Sequence, residues 1–332
     1  MKIGGRDRLP EAVVLPLLTF DSPCTSSTKN VNITPGAEDN FRSASFVLRI
    51  PEKVKRPSYI LVLLPEFNHN GAMLLEQIPW LAFAEETDAA MVACTFKAMD
   101  RNKENYVHYA AAQHGSGASL ESAIELLDAK NSSHSFKDLP LLIYGISAGG
   151  QLAYGFSCYN PKRMIGFAAI KGGYYFPNPV DGTYSVPGLV VSGEKDLVGR
   201  RKAIRTLFES HRKIGAPWCW MEDAGGHEEA ECLSVVIPYF KELIRLRLKN
   251  PGMALQDIPK RAGVTVNLVN KRVLHAGITI GNEDNHLKTG FLPSETVFQA
   301  WTLLDIGKRK YAEPVTGEFF SPPHAPSDEP VA

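Results

Sequence analysis

A mostly parallel α/β sheet of eight strands, with helices on both faces and a small C-terminal appendage, is the fold this sequence predicts. Two patterns carry that expectation. Short apolar runs alternate with longer segments of helical period, the rhythm of parallel strands joined by crossover helices. The run Leu139–Leu142, continued by Ile143 and Ile146, is almost unbrokenly apolar, as a central strand buried on both faces must be. The composition agrees: 332 residues, 44% hydrophobic and 22% charged, make an ordinary globular chain. A chain of this length buries about three quarters of its unfolded surface and needs no staples.

Taken in order, strands are expected at Val13–Phe20, Ser43–Ile50, Ser58–Leu64, Ala89–Phe96, Leu139–Ile146, Met164–Ile170, Gly188–Ser192 and Pro217–Met221. The first two have no helix between them and should pair antiparallel at one edge. Helical period marks Met73–Glu86, Ser119–Lys130, Gly150–Tyr159, Arg200–Ile214 and Glu228–Lys249. Asn250-Pro251-Gly252 then breaks the pattern. Beyond it a hairpin is expected, Val264–Val269 with Val273–Ile280, followed by a helix over Ser294–Ile306 with Ser294 as its N-cap. Prolines at 322, 323, 326 and 330 make Ser321–Ala332 an extended tail. The expected division is a core domain over 1–249, an appendage over 250–320 and a tail over 321–332.

Composition also excludes partners. Lys plus Arg (36) balances Asp plus Glu (36), so there is no general electrostatic case for nucleic acid or an anionic membrane surface. No run of 18 apolar residues exists, and no membrane span is expected. The five cysteines show no CxxC spacing and are expected as thiols, with a Cys219–Cys232 pair left open. Nine histidines fall into neither HxH nor HExxH, so no metal and no cofactor are expected. Met1–Phe20 carries Glu11 and Pro16 and lacks an A-x-A cleavage site, which makes a poor signal peptide. A cytoplasmic protein and an exported one whose signal lies outside this sequence both stay open.

The residues that carry chemistry begin at Gly145-Ile146-Ser147-Ala148-Gly149-Gly150, which follows the expected central strand and opens a helix. A strand turning sharply into a helix leaves no room for side chains beside the turn. Glycines two residues before and after the serine relieve that crowding and lift the hydroxyl clear of the sheet. A serine hydroxyl needs a base to attack anything at neutral pH. The strand Gly188–Ser192 runs into Gly193-Glu194-Lys195-Asp196, and Trp218–Met221 runs into Glu222-Asp223-Ala224-Gly225-Gly226-His227. Both segments end at the carboxyl edge of the sheet, where open α/β sheets place their sites. Glu194 and Asp223 flank the same loops and rival Asp196 as the acid; Asp196 could instead cap the next helix, and His227 could be a plain surface residue.

In this serine, acid, histidine order the sequence resembles the α/β-hydrolase superfamily over roughly residues 43 to 249. The resemblance implies that Ser147 is the nucleophile, His227 the general base and Asp196 its orienter. It further implies two backbone N–H donors for a developing oxyanion: Ala148, and Phe67 in the loop after the third strand, with Glu66 as second choice. There the family often carries His-Gly, whereas this chain has Pro65-Glu66. Glu66 and His69 on that loop, with Tyr174 and Tyr175 between the sixth and seventh strands, are the expected cleft residues, although the aromatics would serve equally as core. The stretch Gly145–Gly173 is also similar, more loosely, to the polyhydroxybutyrate-depolymerase and feruloyl-esterase-like group. The activity implied is cleavage of carboxylic esters through an acyl-enzyme, on a small-molecule or polymeric substrate of hydroxycinnamoyl or polyester type. Only about 17 residues join the sixth and seventh strands, where relatives insert a lid, so an open cleft is expected. A serine peptidase or acyl-peptide hydrolase, and a non-catalytic binding member of the fold, are the alternatives. Oligomeric state is not legible.

Overall fold

A computed structural model describes residues 28–102, 106–131, 135–228, 232–249, 254–278 and 288–305. Its main sheet has eight strands: β1 (Lys29–Ile33), β2 (Phe41–Arg49), β3 (Tyr59–Leu64), β4 (Ala89–Ala98), β5 (Leu141–Ile146), β6 (Met164–Ile170), β7 (Gly188–Gly193) and β8 (Trp218–Asp223). They are ordered β1-β2-β4-β3-β5-β6-β7-β8. β1 pairs antiparallel with β2, β2 antiparallel with β4, and every later pairing is parallel. Among the described residues the strand that pairs antiparallel with β2 at this edge is Lys29–Ile33, which the sequence pattern did not mark. The expected strand Val13–Phe20 lies outside the described residues. Asn30, Asn32 and Lys29 alternate with only Val31 fully buried, too little apolar signal to be read as a strand.

β3 and β5 lie at the centre and are buried at every position, which is why both read as continuous apolar runs. Among the described residues six helices accompany the strands: α1 (Ile78–Thr87), α2 (Ser116–Ala129), α3 (Ala148–Tyr159), α4 (Val198–Lys213), α5 (Leu233–Arg247) and α6 (Glu295–Leu304). On one face α1 meets α5, with Trp80 and Phe240 at 6.3 Å between ring centroids. On the other, Tyr154 of α3 packs edge-on against His211 of α4 at 5.3 Å. α4 is amphipathic and turns Ile204, Leu207, Phe208, His211 and Arg212 inward while Lys202 and Lys213 face solvent. The helix expected over Met73–Glu86 is divided. A 3₁₀ turn covers Gly71–Glu76 and α1 starts at Ile78, because Pro79 has no N–H to bond back and its ring would strike the carbonyl four residues earlier.

Past α5 lies a second sheet, ordered β10-β9-β11, from β9 (Val264–Asn267), β10 (Arg272–Ala276) and β11 (Thr289–Leu292). The hairpin was expected; β11 was not, since Thr289-Gly290-Phe291-Leu292 is too short to show alternation. Ser294 caps α6, accepting from the N–H of Val297 at 3.3 Å. These elements dock on β8, the last strand of the main sheet. The Trp301 indole donates to the Trp220 carbonyl at 3.1 Å, and Asp305 Oδ1 accepts from the Glu222 N–H at 2.8 Å. Residues 220 and 222 point their backbone groups to the same side, so side chains of the second unit take the hydrogen bonds a ninth strand would have made. The fully buried Arg212 of α4 adds a bond to the Thr289 carbonyl at 3.1 Å. Cys94, Cys158, Cys219 and Cys232 are buried thiols, which removes the Cys219–Cys232 pair. The tail over 321–332 lies outside the described residues. Among the described residues no helix is long and apolar enough to cross a membrane.

Candidate active site

At the end of β5 the chain reverses into α3 within one residue. Ser147 takes φ 52° and ψ −117°, a left-handed conformation that costs a non-glycine residue on the order of 1–3 kcal/mol. It is held there because its N–H donates to Ile170 at 2.8 Å and its carbonyl accepts from Gln151 at 3.0 Å. A Cβ on Gly145 would strike the Gly149 carbonyl, and one on Gly149 would strike the Leu64 carbonyl. The glycine spacing thus lets the turn fold on itself and lets the first turn of α3 press against the end of β3.

The other two loops meet this turn at the same edge. Asp196 follows β7 and His227 follows β8. His227 Nε2 lies 2.8 Å from Ser147 Oγ, and His227 Nδ1 lies 2.9 Å from Asp196 Oδ2. Both contacts are satisfied when the Ser147 hydroxyl donates to Nε2 and Nδ1–H donates to the carboxylate. Asp196 keeps its side chain almost wholly out of solvent, at 1% exposure, whereas His227 retains 31%. Burial pushes the Asp196 carboxyl up. The hydrogen bonds from His227, the Leu197 N–H (2.7 Å) and Arg200 (3.2 Å) outweigh it and hold the group below its ordinary value. Asp196 therefore binds the entry of α4 with one oxygen and His227 with the other. Of its rivals, Glu194 is exposed, and Asp223 Oδ1 is occupied by Lys171 at 3.1 Å and by the Gly225 N–H at 2.9 Å.

Ala148 is the first residue of α3, where the N–H has no partner within the helix. Phe67 sits on the loop leaving β3. Its ring stacks on Tyr109 at 5.8 Å, and the Arg101 guanidinium lies 4.7 Å from its centroid. Asn68, at φ 59°, fixes the loop by accepting from the Ala98 N–H at 2.7 Å. A small hollow opens between Pro65, Glu66, Tyr109, Gly149 and Leu152. The exposed His69 places Nδ1 3.2 Å from Glu66 Oε2. Tyr174 is 46% exposed, and the Gly173 and Tyr174 N–H groups donate to the Gln151 side-chain oxygen at 2.8 and 3.0 Å. Tyr175 is not a cleft residue. It is 2% exposed and packs edge-on against Tyr154 at 5.6 Å.

Asn68, Gln151, Lys171 and Arg200 were not marked in the sequence. Only Lys171 left a signal, a lone charge directly after a strand that is apolar throughout. Among the described residues no three His, Cys, Asp or Glu side chains converge as metal ligands.

No family model matches the chain, and no curated protein does. Solved structures do. A ferulic acid esterase is similar with a TM-score of 0.51 at 11% identity, over 67% of this chain and 99% of that one. The fold is that of the α/β hydrolases. Other chains with this fold similar to the present one include a fluorophosphonate-binding serine hydrolase from Staphylococcus aureus, at TM-score 0.46 and 12% identity over 66% of this chain and 98% of that one. A poly(3-hydroxybutyrate) depolymerase from Bordetella parapertussis gives 0.45 and 14%, over 67% and 88%. The fold is the one the sequence resemblance implied.

Proposed function

We propose that this chain is a serine hydrolase that cleaves carboxylic esters through an acyl-enzyme on Ser147. The observation that carries the reading is the continuous hydrogen-bonded chain from Ser147 Oγ through His227 to Asp196. In the proposed reaction Ser147 Oγ attacks the ester carbonyl while His227 Nε2 takes its proton. Asp196 holds the Nδ1–H tautomer and stabilises the imidazolium that forms. The N–H of Ala148 and that of Phe67 receive the oxyanion, each such donor being worth about 10² to 10³ in rate. Collapse expels the alcohol, which takes the proton from His227. Water then repeats the sequence on the acyl-enzyme and frees the acid. A serine peptidase would use the same groups, so amide-to-ester rate ratios separate the two readings.

The cleft favours large or extended esters. The connection from Lys171 to Pro187 holds one 3₁₀ turn, and Tyr174, Leu197 and Val198 around it stay exposed. Nothing in that short connection seals a small acyl group away, in keeping with hydroxycinnamoyl or polyester-type substrates. We read residues 1–249 as the catalytic unit and 250–320 as a buttress to its last strand. Treatment with a fluorophosphonate, read by mass spectrometry, should modify Ser147 and abolish hydrolysis of p-nitrophenyl esters. Ester hydrolysis that survives with Ser147 unmodified would overturn the assignment.

A further inference from the structure

Lys171 is wholly buried, follows β6 directly and adopts φ 51°, a left-handed conformation for a side chain that is almost never buried without a reason. The reaction above makes no use of it. Its backbone N–H donates to the Val191 carbonyl at 2.8 Å, which fixes the start of the side chain between the ends of β6 and β7. From there the ammonium group reaches under the loop that carries His227. Nζ donates to the Glu228 carbonyl at 2.7 Å and pairs with Asp223 Oδ1 at 3.1 Å. It therefore grips that loop at both ends, on either side of Gly225, Gly226 and His227.

The rest of the loop is built around this grip. Asp223 Oδ1 also accepts from the Gly225 N–H at 2.9 Å, and the Glu228 carboxylate accepts from the Gly226 N–H at 2.7 Å. The Gly225 carbonyl accepts from the Lys195 N–H at 2.9 Å, and the Asp223 carbonyl from the Glu194 N–H at 2.8 Å, which tie the loop to the turn bearing Asp196. A Cβ on Gly225 would sit 3.1 Å from Lys171 Nζ, so the loop backbone rests directly on the ammonium group. Asp223 Oδ2 is buried and has no partner among the described residues, so the carboxylate is turned toward Lys171 and not toward the imidazole.

We propose that Lys171 is a positioning residue. By clamping Asp223 and the Glu228 carbonyl from below, it sets the height at which the His227 imidazole meets Ser147. The proposal rests on the serine-hydrolase reading for its rate consequence, but its structural half does not. Burying an ammonium is unfavourable unless it is paired, and removing one partner of a buried pair leaves the other uncompensated. Lys171→Met alone would therefore also destabilise the fold, so Lys171→Met/Asp223→Asn, which removes both charges, is the decisive variant.

Two measurements are made on the full chain, for the wild type and both variants. One is the rate at which a fluorophosphonate modifies Ser147, per folded molecule; the other is hydrogen exchange at the amides of 223–228. Modification should slow by about 10- to 100-fold in both variants, the effect of a reactive group displaced by about an ångström. Exchange over the loop should quicken by a similar factor, while the double variant unfolds at close to the wild-type temperature. Wild-type modification rates in a folded double variant would overturn the proposal, because a merely structural lysine would leave them unmoved. Loop exchange that does not change would overturn it as well. If Ser147 of the wild type is not modified at all, the serine-hydrolase reading fails, and the exchange data alone decide whether Lys171 holds the loop.

Discussion

The turn at Ser147 and the loop at His227 meet at 2.8 Å, yet they are held in opposite ways. The turn is fixed by exclusion: Gly145 and Gly149 leave space that any Cβ would take, and the backbone closes on itself and on β3. The loop is fixed by polar contacts, in which Lys171, Asp223, Glu228 and Lys195 supply charges or N–H groups to a backbone that could otherwise lie several ways. A sterically closed turn is rigid whatever the ionic state of its surroundings. A polar clamp holds only as long as both members of each pair are present. In the proposed reaction, the half that delivers a strained hydroxyl is built from shape, and the half that carries a proton is built from charge.

This contrast can be broken at single residues. Ser147→Ala should lower ester turnover by about 10⁶-fold without unfolding the protein, since it keeps the Cβ the turn already accommodates; steady-state kinetics and thermal unfolding check both halves. Asp196→Asn should cost about 10⁴-fold, because the imidazole loses its required tautomer, whereas Asp223→Asn should cost only about tenfold through a loosened loop. If the Asp223 variant proves the worse of the two, Asp196 is not the orienter. Gly149→Ala should reduce stability by about 3 kcal/mol in denaturant unfolding, as its Cβ meets backbone that cannot yield.

An acid effect should fall on both regions alike. Burial lowers the His211 imidazole to about 4 from an ordinary value of 6.5. Between those values the unfolded chain binds more protons than the folded one, so stability rises with pH across that window. It is lost as pH falls from 6.5 toward 4, by up to about 3 kcal/mol from this residue, and His211→Gln should make a plot of melting temperature against pH shallower there, with the buried His108, also lowered to about 4, supplying the slope that remains.

The same contrast explains what could be read from the sequence. Steric requirements are local: glycines at 145 and 149 about Ser147 stand within one short stretch, and the burial of β3 and β5 shows in consecutive residues. The order of Ser147, Asp196 and His227 was legible too, because parallel strands deliver their following loops to one edge. Lys171 lies 57 residues from the Glu228 carbonyl it binds, and no local pattern ties the two together. Tyr174 and Tyr175 illustrate a different limit. Adjacent aromatics on an irregular connection look alike in sequence, and only the path of the chain sends one outward and the other into the core. β1 and β11 escaped notice because each is short and only their pairing partners make them strands.

The bonds that Trp301 and Asp305 make to β8 span 81 and 83 residues. On a ribosome adding about 5 to 20 residues per second, β8 waits on the order of 4 to 16 seconds for them after its own synthesis. Through that interval Trp220 and Glu222 present an open carbonyl and N–H to whatever is nearby, including another nascent copy. The closing of this edge therefore comes late, with the arrival of a distant tryptophan and aspartate.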